Sequence, residues 1–153
     1  MMTPPGLEFA FQVTADIGVP LDLGMTPHGR RRIIAVNGGR FEGPKLRGRV
    51  LPGGADWQIL RADGSAELDA RYTLETDSGA LIYVSNRGLR HGPPEVLQRL
   101  NAGENVDPGS YYFRTVASFE TGAAELQWLT QSIFLGVAER YREQVIIRFW
   151  RLA

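Results

Sequence analysis

The chain contains no cysteine. That absence removes disulfide frameworks, thiolate nucleophiles and thiolate-ligated zinc from consideration. Lysine is nearly missing too: of the seventeen Lys and Arg residues, only Lys45 is a lysine. Histidine is scarce, and His28 and His91 lie far apart in stretches read as loops, so a histidine-based zinc site is not expected. Neither sign of charge is in excess, because seventeen Asp and Glu match the seventeen cationic residues. A general polyanion binder carries a clear basic surplus, so nucleic acid is not an expected partner. No run approaches the ~18 apolar residues of a membrane helix, and the N-terminus lacks a basic stretch followed by an apolar one. No membrane association is expected, and the cytoplasm is the expected location.

What is present suits one folded domain, 1–153. At 153 residues and 43% hydrophobic, the chain can bury roughly 70% of the surface that its unfolded form exposes. Eighteen glycines and nine prolines fall mostly in doublets between apolar runs, which is turn punctuation. The usual cofactor motifs fail. Gly38–Lys45 has the glycines of a phosphate loop, but Pro44 separates Gly43 from Lys45, no Ser or Thr follows, and no helix starts there. There is no dinucleotide fingerprint and no nucleophile elbow, and no loop has calcium-ligand spacing. Neither a cofactor nor a metal is expected. The cluster Arg30-Arg31-Arg32 opens a strand, where successive side chains face opposite sides, and reads as a solvated strand end.

The periodicity is that of strands almost throughout. Leu7–Ile17 alternates; Pro20–Pro27 reads as a loop; Arg30–Val36 follows, closed by a tight turn at Asn37-Gly38-Gly39. Further strands are expected at Lys45–Leu51, Asp56–Arg61, Ser65–Thr76, Ala80–Arg87, Tyr111–Phe119, Leu126–Val137 and Gln144–Leu152. One helix signal stands at Pro94–Ala102, with proline in its first turn, Val96, Leu97 and Leu100 on one face, and Gly103 as its stop. The expected fold is therefore all-β: a single antiparallel β-barrel of about eight to ten strands and lipocalin-like size, with a short helix near 94–102. A flattened sandwich is the alternative.

Register arguments then gather candidate site residues. Taking Asp63-Gly64 as a two-residue turn puts Asp56 opposite Arg71 and Gln58 opposite Asp69. A three-residue turn would instead set Ile59 against Glu67 and Trp57 against Asp69. The two-residue turn is preferred because it keeps the faces coherent. Across Asp77-Ser78-Gly79 a three-residue turn pairs Tyr72 with Val84 and Leu74 with Ile82. One sheet face then carries Asp56, Gln58, Asp69, Arg71, Tyr83, Tyr112, Arg114, Glu120 and Trp128. Two readings of that face stand: the solvated outside of the barrel, or a lumen rich in Arg, Tyr and Trp that takes a planar or anionic small molecule.

Three groups of residues also carry a resemblance. They are Met25-Thr26-Pro27-His28-Gly29-Arg30-Arg31-Arg32, Gly38-Gly39-Arg40-Phe41-Glu42-Gly43-Pro44-Lys45-Leu46-Arg47-Gly48 and Pro52-Gly53-Gly54-Ala55-Asp56-Trp57, joined by Tyr111-Tyr112-Phe113-Arg114 and Phe119-Glu120. Together they resemble the bacterial family catalogued as domain of unknown function 3237, over nearly the whole chain. The resemblance implies a small antiparallel β-barrel and brings no assigned activity, cofactor or catalytic residues.

On the lumen reading, the chain is a small-molecule-binding barrel working as a cofactor-independent acid–base enzyme of isomerase, dehydratase or cyclase type. Asp56 or Glu120 would be the general base, and Tyr83 or Tyr112 the proton donor or oxyanion stabiliser. Arg71 and Arg114 would hold a substrate carboxylate, with Trp57, Gln58, Asp69 and Trp128 completing the ligand contacts. A non-catalytic carrier or sensor of the same ligand is the first alternative. An interaction module with a packed core is the second. Pairing into a homo-oligomer is compatible with all three.

Overall fold

Leu7–Ile17 forms β1 of a computed structural model describing residues 2–153; Phe11, Val13 and Ala15 face the core, and a bulge between Phe9 and Phe11 leaves Leu7 and Phe9 exposed. Met1, included in the expected domain, lies outside the described residues. In chain order the other elements are β2 (Leu21–Thr26), β3 (Gly29–Glu42), β4 (Arg47–Val50), β5 (Gly54–Leu60), β6 (Ala66–Thr76) and β7 (Leu81–His91). Then come α1 (Pro94–Asn101), β8 (Tyr112–Glu120), β9 (Phe134–Arg140) and β10 (Gln144–Leu152). All pairings are antiparallel, and the sheet closes on itself through β1 and β3. It is a barrel of eight strand positions, two of them broken. β1 and β2 follow one another along β3, and β4 and β5 follow one another between β3 and β6. Closure leaves few unpaired edges, which is the physical reason for a barrel over an open sheet of this length.

Four sequence expectations need correction. Residues 20–27, read as a loop, contain β2, whose edge pairing to β3 leaves Leu21, Leu23 and Met25 exposed. Asn37-Gly38-Gly39 is not a turn, since β3 runs straight through it. Gly39 sits at φ +133°, and a Cβ there would stand 2.1 Å from the Thr14 carbonyl oxygen, so glycine lets β3 bend against β1. Residues 126–133 are not strand. Leu126 and Leu129 are both buried, and their spacing of three suits the 3-10 turn Ala124–Leu129.

The fourth correction decides the site. Arg61 N–H donates to Ser65 O at 2.8 Å and Gly64 takes φ +86°, so Ala62-Asp63-Gly64 is a three-residue loop. Ile59 then pairs with Glu67, and Asp56 with Ala70 rather than Arg71. A slip of one residue exchanges the faces of a strand. Asp56 and Gln58 therefore point inward, while Trp57 points out. The Asp77-Ser78-Gly79 hairpin has the expected register, with Tyr72 opposite Val84 and Leu74 opposite Ile82.

The lumen has two halves. Phe11, Phe41, Phe119, Phe134 and Phe149 fill one, with ring centroids 5.1–5.9 Å apart, and Leu126 and Leu129 pack into the same core. Toward the other end the inward positions turn polar: Arg32 on β3, Asp56 and Gln58 on β5, Asn86 and Arg90 on β7, Thr115 on β8 and Arg140 on β9. α1 follows β7 at this end and buries Leu97 and Leu100.

Candidate functional site

Alternation carries the polar residues inward. Arg32 is in phase with Ile34 and Val36, Arg90 with Val84 and Asn86, and Arg140 with Phe134 and Ala138. Arg32 pairs across strands with Gln58, and Ile34 with Asp56, which sets these groups side by side. All three arginines are buried, at 6%, 2% and 4% exposure, and Asp56 at 9%. Gly136 allows close packing beside them, because a Cβ there would come within 2.0 Å of Thr115 Oγ1.

Asp56 accepts the Asp69 backbone N–H at 2.9 Å on Oδ1 and the Gln58 side-chain amide at 3.3 Å on Oδ2. Burial pushes its carboxyl up to about 6, against the opposing pull of the Asp69 N–H and of Arg90. Burial likewise pulls Arg90 and Arg140 down to about 10 and lowers Arg32, so all three remain cationic at neutral pH. None of the three has a carboxylate within ion-pair distance among the described residues. The eight ion pairs lie on other, more exposed side chains. Neutral oxygens take the place of carboxylates. Arg32 Nη1 donates to the Asn101 carbonyl oxygen at 3.2 Å, and Arg90 Nη2 to Asn101 Oδ1 at 3.0 Å. Arg140 Nη1 donates to the carbonyl oxygens of Tyr141 and, at 3.1 Å, Arg142. The Arg90 guanidinium also lies 5.6 Å from the Phe113 ring centre. Asn101 anchors itself by donating to Gly64 O at 3.3 Å. The end of α1 thus holds two of the three guanidinium groups.

A cavity of about 50 Å³ lies among these groups; Asp56, Gln58, Tyr72, Asn86, Arg90, Thr115 and Arg140 line it, but most of its wall is apolar, with Ile34, Val36, Leu68 and Ile147 among the side chains there. Five buried polar atoms on its lining have no hydrogen-bond partner: Gln58 Oε1, Tyr72 O–H, Asn86 Oδ1, Arg90 Nε and Thr115 Oγ1. Outside it a groove of about 930 Å³ runs between residues 16–20, the end of α1 and residues 140–144. Arg140 lines both spaces, and Arg32 lines the groove.

The other candidates from the sequence are elsewhere. Asp69, Arg71 and Tyr83 sit on the outer face, with Arg71 3.6 Å from Asp69 and Tyr83 paired across strands with Glu120. Glu120 is exposed at the apolar end. Tyr112 and Arg114 stack on each other at 5.2 Å beside an apolar groove on the outside of β7–β10. Trp57 is exposed, and Trp128 is half-buried on the 3-10 turn, with Lys45 over its ring at 5.2 Å. Of the ten candidates, Asp56 and Gln58 share the lumen site, and only the Asp69 main chain touches it. The sequence reading missed Arg32, Arg90 and Arg140. Their signal was an arginine on the apolar phase of a strand, and ending strands at Arg87 and Val137 cut two of them off.

Residues 5–152 match the family described as "Protein of unknown function (DUF3237)". The chain belongs to that family. A UPF0311 protein of Rhodopseudomonas palustris is 48% identical over 147 residues, spanning 95% of this chain and 96% of the relative. The crystal structure of a conserved protein of unknown function from the same species superposes with TM-score 0.95 at 44% identity over the whole of both chains. A solved "beta-barrel like protein" from Acinetobacter baumannii gives TM-score 0.87 at 42% identity, covering 100% of this chain and 99% of that one. A more distant relative, a hydroalkoxylation enzyme of Penicillium herquei, is 24% identical over 150 residues, 98% of this chain and 85% of that protein. No helix among the described residues is long and apolar enough to cross a membrane.

Proposed function

We propose that the polar half of the lumen is the active site of an acid–base enzyme that works without a cofactor on a small anionic or aromatic compound. Asp56 carries the reading. A buried carboxyl raised to about 6 changes protonation state close to neutral pH, which suits a group that must both take and return a proton. Its two protein hydrogen bonds hold it in place, and the adjoining cavity and groove supply an approach.

The Penicillium herquei relative supports the reaction type. Hydroalkoxylation adds an O–H group across a C=C bond. One C–O bond forms, the hydroxyl proton leaves, one carbon gains a proton, and no electrons are exchanged. Asp56 would take the hydroxyl proton. The phenol that lines the cavity beside it is that of Tyr72, not the exposed Tyr83 or Tyr112. The test is incubation in deuterated buffer with small hydroxyalkenes of ring-closing length, with and without a carboxylate. The expected product is a cyclic isomer bearing one solvent deuteron on carbon. Asp56→Asn is expected to slow its formation by about 10²–10⁴-fold. Equal rates for the variant and wild type would sink the reading. A compound that binds tightly and is recovered unchanged would favour a carrier instead.

A further inference from the structure

We propose that Arg32, Arg90 and Arg140 form a receptor for a carboxylate, so that the ligand is an organic acid entering headgroup first from the groove at the polar end. The inference rests on the same half of the lumen as the proposed reaction, but it concerns binding and needs no proton transfer.

Charge is the first argument. Three guanidinium groups are gathered at 6%, 2% and 4% exposure, and Asp56 is the one carboxylate lining the cavity beside them. Buried charges are ordinarily paired, because desolvation costs more than neutral acceptors return. Eight of the other arginines meet carboxylates, as Arg49 does with Glu75 at 2.8 Å and Arg151 with Glu8 at 3.0 Å. The buried trio instead makes do with main-chain and amide oxygens, and Arg90 Nε has no acceptor at all.

Shape is the second. A guanidinium offers five N–H donors in a planar fork that matches the two oxygens of a carboxylate. The inner cavity is small, about 50 Å³. Carboxylate is the smaller of the two anions, carboxylate and phosphate, that answer such a fork, and a small cavity favours it. Tyr72 and Thr115, whose hydroxyls have no partner, line the same space. The larger groove, with Ile17, Val19 and Pro20 on one wall, has room for an apolar body.

The test uses benzoate, its neutral isostere benzamide, and inorganic phosphate at matched ionic strength, read by titration calorimetry and thermal shift on the full chain. Benzoate is expected to bind and raise the melting temperature, with benzamide and phosphate at least tenfold weaker. Arg32→Gln and Arg140→Lys, the second keeping the charge but losing the fork, are each expected to weaken benzoate about tenfold or more. Should either variant fail to fold, the preference of wild type for benzoate over benzamide still decides the matter. Benzamide or phosphate binding as tightly as benzoate would overturn the carboxylate assignment. So would benzoate affinity unchanged in folded arginine variants. Asp56→Asn is expected to keep or strengthen benzoate binding while losing turnover, which separates failure of this inference from failure of the proposed reaction.

Discussion

The two halves of the lumen share the same eight strand positions and differ in what they do with burial. In one half, five phenylalanines pack in edge-to-face and tilted contacts, and Phe11, Phe134 and Phe149 are wholly buried. Each such side chain contributes about 1.5–3 kcal/mol by leaving water. In the other half, an equally buried layer holds cations, a carboxyl raised to about 6 and unpartnered polar atoms around a cavity. Nothing about that layer favours folding on its own account. The comparison teaches that the barrel concentrates its stability at one end and tolerates destabilising chemistry at the other, the pattern expected of a binding site held in a rigid frame.

Substitutions can break or sharpen this contrast. The largest effect is expected in the apolar half: Phe149→Ala should cost about 3–5 kcal/mol in urea unfolding, from lost burial and the cavity left behind. A cost under about 1 kcal/mol would mean that this half is not the packed one.

Asp56→Asn should act in the opposite direction. The carboxyl is raised from 3.8 to about 6, so the folded protein holds this proton more tightly than the unfolded chain. The group's contribution to stability is full below about pH 4 and is lost as pH rises through about 6. A shift of that size amounts to roughly 3 kcal/mol. At pH 8 the variant should therefore be more stable than wild type by about that amount, and it should lose the decline between about pH 4 and 6. A less stable variant at pH 8 would show that ionised Asp56 is a structural partner of the arginines.

Arg90→Met is expected to be smaller, neutral to about 2 kcal/mol stabilising, since an apolar residue of similar length replaces an incompletely bonded cation. A loss of several kcal/mol would place Arg90 among the structural residues. Arg49→Ala on the outer surface, which removes the 2.8 Å contact with Glu75, should change stability by under about 0.5 kcal/mol. These two arginines together test whether burial, rather than charge, sets the difference.

Much of the frame was legible from local pattern. Strands such as Gln144–Leu152, the helix from Pro94 and the Asp77-Ser78-Gly79 hairpin follow from alternation, a first-turn proline and turn chemistry. These are signals that neighbouring residues carry by themselves. The candidate site was legible only in part, through Asp56 and Gln58. Both were grouped with Arg71 and Tyr83 because polar residues were taken to share one face. The true register puts them inside, where the lumen itself turns polar, so a rule that equates inward with apolar misreads this end.

The sequence alone determined the class of fold, most of its strands and the absence of thiol chemistry, because periodicity and composition are properties of the unfolded chain as well. Tertiary structure decided which residues meet. Arg32, Arg90 and Arg140 come from β3, β7 and β9, are separated by 58 and 50 residues in turn, and are brought together by the closure of the barrel. Closure is a long-range event: it fixes the face of each strand and the burial of each charge, and no local window of sequence contains it.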